Sequence, residues 1–251
     1  MSQPEKPKPN RPSGSVLDSF YQLHQAIGEH QTTEIPISLL MSMKKLANGE
    51  SPEQILRERS GLPGAEMRET DNRELIAHLQ RVADYSELLA IKCGLSVEEA
   101  RLVKQISPMH DIGKLEIPDA ILQKPSELTP EEWEIMKTHA DLGHDLLKDS
   151  RVEVLRMGAL VAKQHQEKFD GSGYPLGLAG ENIHLYSRIT TVADVFDALG
   201  SKRAYKEAWA IEDIVAYFQD GRGTHFDPRL VDLLLENLDE FLALREGKRG
   251  A

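Results

Sequence analysis

A single cysteine, Cys93, among 251 residues leaves no partner for an intrachain disulfide and no thiolate pair for a structural zinc site. It lies in Ala90-Ile91-Lys92-Cys93-Gly94 and is expected as a packed core thiol in a reducing compartment. No apolar run approaches the ~20 residues that span a bilayer, and the N-terminus has no apolar segment of the secretory-signal kind. These absences predict a cytoplasmic protein with no membrane partner. Positive charge is also scarce: 30 Lys and Arg stand against 41 Asp and Glu, a net charge of −11. No basic face can offset that broadly, which argues against duplex nucleic acid as a partner. An anionic nucleotide is not excluded, because bound cations would invert the local field whatever the global sum. Strand patterning is sparse, and no internal repeat occurs.

What remains is helix. Hydrophobic residues at 40% and charged residues at 28% are ordinary for a globular chain, long enough for one large domain with a small extension. The Pro-, Lys-, Ser- and Gly-rich stretch Met1 to Ser15 is expected as a disordered tail. Residues 16 to 70 carry helical periodicity, with Leu17, Phe20, Tyr21, Leu23, Ala26 and Ile27 on one face. This extension is too short for a sensor domain. It reads as helices packed on the main domain, or as a hairpin that makes a homodimer.

Residues 71 to 251 form the main domain, expected to be all-α. Ser96 with Glu99, and Thr129 with Glu132, are capping boxes, and Pro130 takes the favoured first helical position. A helix from about Val97 is expected to end at His110-Asp111, with Gly113 breaking it. His139 falls inside the helix capped by Thr129, His165 ends the next one, and Asp194 lies mid-helix between Ser187 and Gly200. Asp227-Pro228 starts the last helix, running through Leu230, Leu233, Leu234 and Leu238. The Gly- and Pro-rich stretch from Asp170 to Asn182 reads as a long loop, which in a compact domain usually means function or disorder.

Glu74, His78, His110, Asp111, His139, His165 and Asp194 form a set of nitrogen and carboxylate donors spread over 121 residues. Glu74 and His78, four apart, share one helical face. In His110-Asp111 the imidazole can take one cation while the carboxylate bridges two. With no thiolate present, the donors suit two or three divalent ions, iron or manganese, better than structural zinc. Any one histidine alone would more often be structural, and His24, His30, His144, His184 and His225 lack partners at matching spacing.

The pattern is longer than the ligand set. It includes His78-Leu79-Gln80-Arg81-Val82, His110-Asp111-Ile112-Gly113-Lys114, Thr129-Pro130-Glu131-Glu132-Trp133, Phe169-Asp170-Gly171-Ser172-Gly173-Tyr174-Pro175 and Val192-Ala193-Asp194-Val195-Phe196-Asp197. The histidines and Asp194 are separated by 32, 29, 26 and 29 positions. In all this the chain resembles the HD-GYP family of metal-dependent cyclic dinucleotide phosphodiesterases, over about Glu74 to Asp227. Where that family usually has two successive histidines, this chain has His165-Gln166. A glutamine amide is a neutral, weak ligand, so the resemblance implies fewer ligands for a second or third metal.

The resemblance implies hydrolysis of cyclic di-GMP to linear pGpG or GMP, by a hydroxide shared between metals that Asp111 bridges. His78, His110 and Asp194 would complete one metal site, His139 and His165 another, and Glu74 would serve a third. Lys114 would hold a phosphate oxygen as a point charge. Asp170, Gly173 and Tyr174 of the loop are expected at the substrate, Gly171 and Gly173 by permitting positive φ or close approach. Arg188 and Arg203 are candidate phosphate or guanine contacts, with a structural ion pair the equal alternative for Arg188. By the same resemblance the Gly-Tyr-Pro loop would touch a diguanylate cyclase-type partner domain. The competing reading is a weakened site that senses cyclic dinucleotide or recruits a partner. A simpler HD phosphohydrolase of mononucleotides is disfavoured by the loop.

Overall fold

The computed structural model describes residues 66 to 247 except 123, 125, 151–152 and 202–207, with side chains from Ala77 onward. The tail, nearly all of the extension, the Glu74 side chain and Arg203 lie outside the described residues. Ten α-helices and no strand occur among the residues described: α1 Glu66–Lys92, α2 Val97–Ile106, α3 Asp119–Leu122, α4 Pro130–Lys137, α5 His139–Leu147, α6 Glu153–Gln164, α7 Leu185–Gly200, α8 Ile211–Asp220, α9 Pro228–Glu236 and α10 Leu238–Arg245. The all-α expectation is met. No helix among them is long and apolar enough to cross a membrane.

α7 is the axis of the fold. It buries Ile189, Thr190, Thr191, Val192, Ala193, Phe196 and Asp197, most of its circumference, which marks a helix enclosed by neighbours. α1 lays Val82, Tyr85 and Leu89 along it at helical spacing, and α8, α9 and α10 close the far side with Phe218, Leu230, Leu234 and Phe241. The aromatics meet edge to face: Tyr85 and Phe196 at 5.2 Å, Phe196 and Phe241 at 5.7 Å between centroids. Phe226, just before α9, packs on Phe218 with ring centroids 4.6 Å apart. Each such ring contributes on the order of 2–3 kcal/mol through burial. Cys93 is buried in the same core, as expected.

Both capping boxes form. Glu99 accepts from the Ser96 N–H at 2.9 Å while Ser96 Oγ accepts from the Glu99 N–H, and Thr129 and Glu132 repeat the exchange.

Three boundaries differ from the sequence reading. α2 stops at Ile106, because Pro108 has no N–H to return to Lys104; a 3₁₀ turn at Ser107–Met109 follows, and His110-Asp111 sits between it and a second turn at Ile112–Glu116. The capped helix ends at Lys137, where the Thr138 N–H and hydroxyl both bind the Ile135 carbonyl, so His139 opens α5 instead of lying inside α4. The last helix is two: Asn237, with φ −116° and ψ 21°, donates its amide to the Leu233 carbonyl and divides α9 from α10.

Gly113 explains how the His110-Asp111 turn reaches the rest of the site. A Cβ there would stand 1.9 Å from the His139 carbonyl oxygen and 2.4 Å from the Gly143 nitrogen. Only a hydrogen allows the turn to press against α5. Gly113→Ala is therefore expected to destabilise the fold by about 1–3 kcal/mol and to separate His110-Asp111 from His139. Urea unfolding, with metal content as second readout, checks both; unchanged values would show that the turn relaxes freely.

Candidate metal centre

Three of the histidines sit at helix or turn ends, within reach of backbone carbonyls of the preceding turn. His110 Nδ1 lies 2.8 Å from the Ser107 carbonyl, His139 Nδ1 2.8 Å from that of Met136, and His165 Nδ1 3.0 Å from that of Ala162. A carbonyl can only accept, so each Nδ1 carries a proton and, in the neutral ring, each Nε2 presents a lone pair. His78 reaches the same state through a side chain: its Nδ1 donates to Asp197 Oδ2 at 2.7 Å. Asp197 also accepts from Arg81 Nε at 2.5 Å and Nη2. Burial alone would raise the Asp197 carboxyl, but the His78 and Arg81 donors outweigh it and hold it below the ordinary range.

The Nε2 atoms converge on the carboxylates in two groups. His78, His110 and Asp194 form one; Asp111, His139 and His165 form the other. In the first, Asp194 Oδ1 lies 3.5 Å from His78 Nε2 and 3.7 Å from His110 Nε2. In the second, Asp111 Oδ1 lies 3.4 Å from His139 Nε2 and 3.5 Å from His165 Nε2. Asp111 Oδ2 stands 3.4 Å from His110 Nε2, so one carboxylate faces both groups.

This arrangement fits cations. His139 and His165 point Nε2 at each other across 3.2 Å, with both Nδ1 protons already committed. His110 Nε2 and Asp111 Oδ1 are buried with no hydrogen-bond partner. Buried acceptors that face one another without donors are costly unless a positive charge lies among them. The electrostatics agree. Burial opposes charge on His110, yet Asp111 and Asp194 lift its pKa to about 9, so its Nε2 draws a proton wherever it does not face a metal cation. Burial would raise Asp111, but Lys114 and His110 hold it well below the carboxylate range. His139 is pushed down to about 4 by burial, and so offers a neutral imidazole. These residues could hold divalent metals.

The remaining expected residues are unevenly placed. Lys114 Nζ pairs with Asp111 Oδ2 at 2.5 Å. Tyr174 lies edge-on to His139, centroids 6.3 Å apart; burial and the Asp111 charge raise its hydroxyl, so the phenol stays a donor. Asp170 is exposed and caps its own loop, accepting from the Ser172 N–H at 2.8 Å. Gly171 has the anticipated positive φ, +85°. Gly173 does not; a Cβ there would meet Lys168 N at 2.3 Å, so the close approach it permits is to its own backbone. Arg188 makes the ion pair that was one of its two alternatives, with Asp227, and donates to the Ile183 carbonyl at 2.9 Å. His184 and His225 are structural, His184 accepting from the Tyr186 N–H at its helix start and His225 stacking on Phe226.

Sequence reasoning missed two residues. Asp197 orients His78, and its signal was available: Asp194 and Asp197 repeat at i, i+3 on α7 as His78 and Arg81 do on α1. Glu167 is 2% exposed and accepts from the Leu176 and Leu178 N–H groups at 2.7 and 3.0 Å, tying the loop to the end of α6. No periodicity marks it.

Asp197→Asn leaves His78 without its carboxylate and is expected to weaken metal retention roughly 10–100-fold. Because the Asp197 carboxyl is held below its usual value, its contribution to stability is present above pH ~4 and lost as pH falls through the folded value. The variant should lack that acid-side loss. Metal titration and acid unfolding test the two parts; wild-type metal affinity in the variant would overturn the orienting role.

The HD domain family model matches residues 65–230. Among curated proteins, the chain is 49% identical over 177 residues to 3′3′-cGAMP-specific phosphodiesterase 2 of Vibrio cholerae, covering 70% of this chain and 34% of that one. It is 50% identical over 159 residues to the cyclic di-GMP phosphodiesterase response regulator RpfG of Xanthomonas campestris, covering 63% and 42%. The chain thus spans about a third to two fifths of the length of these relatives. A solved HD-GYP protein of Bdellovibrio bacteriovorus superposes with TM-score 0.54 at 16% identity, over 91% of this chain and 74% of that one, which supports the fold alone. Helical architecture, paired His and Asp groups and the Gly-Tyr-Pro loop all agree with the match over residues 65–230: the chain belongs to the HD domain family, in its HD-GYP branch.

Proposed function

We propose that this protein is a metal-dependent phosphodiesterase that opens a cyclic dinucleotide, cyclic di-GMP in the first place, to the linear dinucleotide or GMP. The observation that carries the reading is the pair of His and carboxylate groups joined through His110-Asp111, with Lys114 and Tyr174 beside them. The curated relatives are named for cyclic di-GMP or 3′3′-cGAMP, which supports a 3′,3′-linked cyclic dinucleotide as the substrate class.

His78, His110 and Asp194 would hold one divalent ion and Asp111, His139 and His165 a second, with Asp111 facing both. Nitrogen and carboxylate donors suit iron or manganese. Bound there, such ions neutralise phosphoryl charge and lower the pKa of water. The protein's own residues do the rest. The Nδ1–H bonds hold four imidazoles in the ligating tautomer and prevent rotation. The Lys114 ammonium, paired with Asp111 and 38% exposed at its side chain, would donate to a non-bridging phosphate oxygen. The Tyr174 phenol, kept protonated, donates to a phosphate or ribose oxygen. Glu167 holds the loop that presents Tyr174.

The second reading, a sensor or scaffold that binds cyclic dinucleotide without turnover, rests on Gln166 in place of a usual histidine. Each of the two groups has three His and Asp donors without drawing on position 166, which supports the active reading.

Protein loaded anaerobically with ferrous iron or manganese is expected to convert cyclic di-GMP to pGpG or GMP, and chelation to abolish the conversion. Tight binding with intact substrate under both metals would leave the sensor. Asp111→Asn should lose both metal and turnover. Lys114→Ala should keep its metal and lose on the order of 10²-fold in kcat/KM; equal loss of metal would show that Lys114 serves the ligands instead of the substrate.

A further inference from the structure

α4 buries none of its side chains, yet it carries Trp133 at 47% exposure. An exposed indole on a helix with no core face needs another reason. Its neighbour supplies one. The Trp133 ring stands edge-on to Tyr174, centroids 6.4 Å apart at 82°, and Tyr174 stands edge-on to His139, 6.3 Å apart at 83°. His139 belongs to the Asp111 group. Three rings thus lead from the metal centre to the surface, and the outermost leaves much of its area uncovered. Leu176, next to the Tyr174-Pro175 pair, is also exposed, at 55%, so the apolar surface continues on the loop side.

We infer that Trp133 is a stacking platform for one purine base of the substrate, and so a binding determinant outside the metal ligands. This rests on the proposed cyclic dinucleotide reading. A cyclic dinucleotide carries its bases on either side of the phosphodiester ring. With a phosphate at the metal groups, a base projecting along Tyr174 meets the indole. Flat π-surfaces take any purine, since stacking does not read hydrogen-bonding edges. Trp133 therefore contributes affinity, and the choice between guanine and adenine is made elsewhere. The bland alternative is a brace, with Trp133 holding Tyr174 and its loop in place.

The chain has two tryptophans, Trp133 and Trp209, so Trp209→Phe leaves one fluorophore. Titration of the full-length Trp209→Phe protein with a hydrolysis-resistant phosphorothioate analogue of cyclic di-GMP is expected to quench the indole saturably. In the otherwise wild-type chain, Trp133→Ala should raise KM about tenfold, while Trp133→Phe stays within about threefold, and kcat and metal content hold in both. Calorimetric binding without quenching, or a fall in kcat with unchanged KM, would overturn the platform and leave the brace. Absence of both binding heat and turnover in the wild-type protein would overturn the cyclic dinucleotide reading itself, and the platform with it.

Discussion

A buried histidine ring has two nitrogens, and the site depends on what occupies the one that faces away. In His110, His139 and His165 that nitrogen is tied to the carbonyl three residues earlier, and in His78 to the Asp197 carboxylate. The consequence is geometric and electrostatic together. Each ring is fixed in rotation, and each Nε2 is aimed at Asp111 or Asp194. Lone pairs and carboxylates forced together in a buried space repel, so the folded chain is poised for cations.

The fold exists in large part to bring those ring ends together. α7 carries Asp194 toward the ligands and Asp197 toward His78 and Arg81, so one helix supplies both a candidate ligand and the group that orients another. The aromatic core around Tyr85, Phe196 and Phe241 holds α1 on α7, and thereby sets where His78 points. On the other side, Gly113 lets the His110-Asp111 turn press against α5, where His139 begins. Packing and chemistry are coupled through few atoms, and shifts of an ångström at either contact would dissolve the convergence.

The loop after His165 follows the same logic with different parts. Glu167 is buried, yet both its oxygens are satisfied by backbone N–H groups of the loop, which offsets the desolvation of the charge. Asp170 caps the turn within the loop and Gly173 lets it fold back on residues 166 to 168. Tyr174 is thus presented by a fixed frame, between the metal groups and Trp133.

The sequence by itself determined the helical class, the capping boxes, the donor set and the family resemblance, because residue type, periodicity and spacing are local or pairwise properties. The grouping of the donors around Asp111 came from the resemblance and not from the residues alone. It misplaced the ends of α2 and α4 and merged α9 with α10, where a missing N–H, a threonine hydroxyl and an asparagine amide decided the matter within a single turn. Only the tertiary structure decided that Arg188 pairs with Asp227, that Gly173 lies against the backbone of residues 166 to 168, and that Asp197 and Glu167 support the site. The three ionic contacts among these depend on which buried charge finds which partner across 9 to 119 positions of chain, and desolvation settles that choice only once the helices have packed.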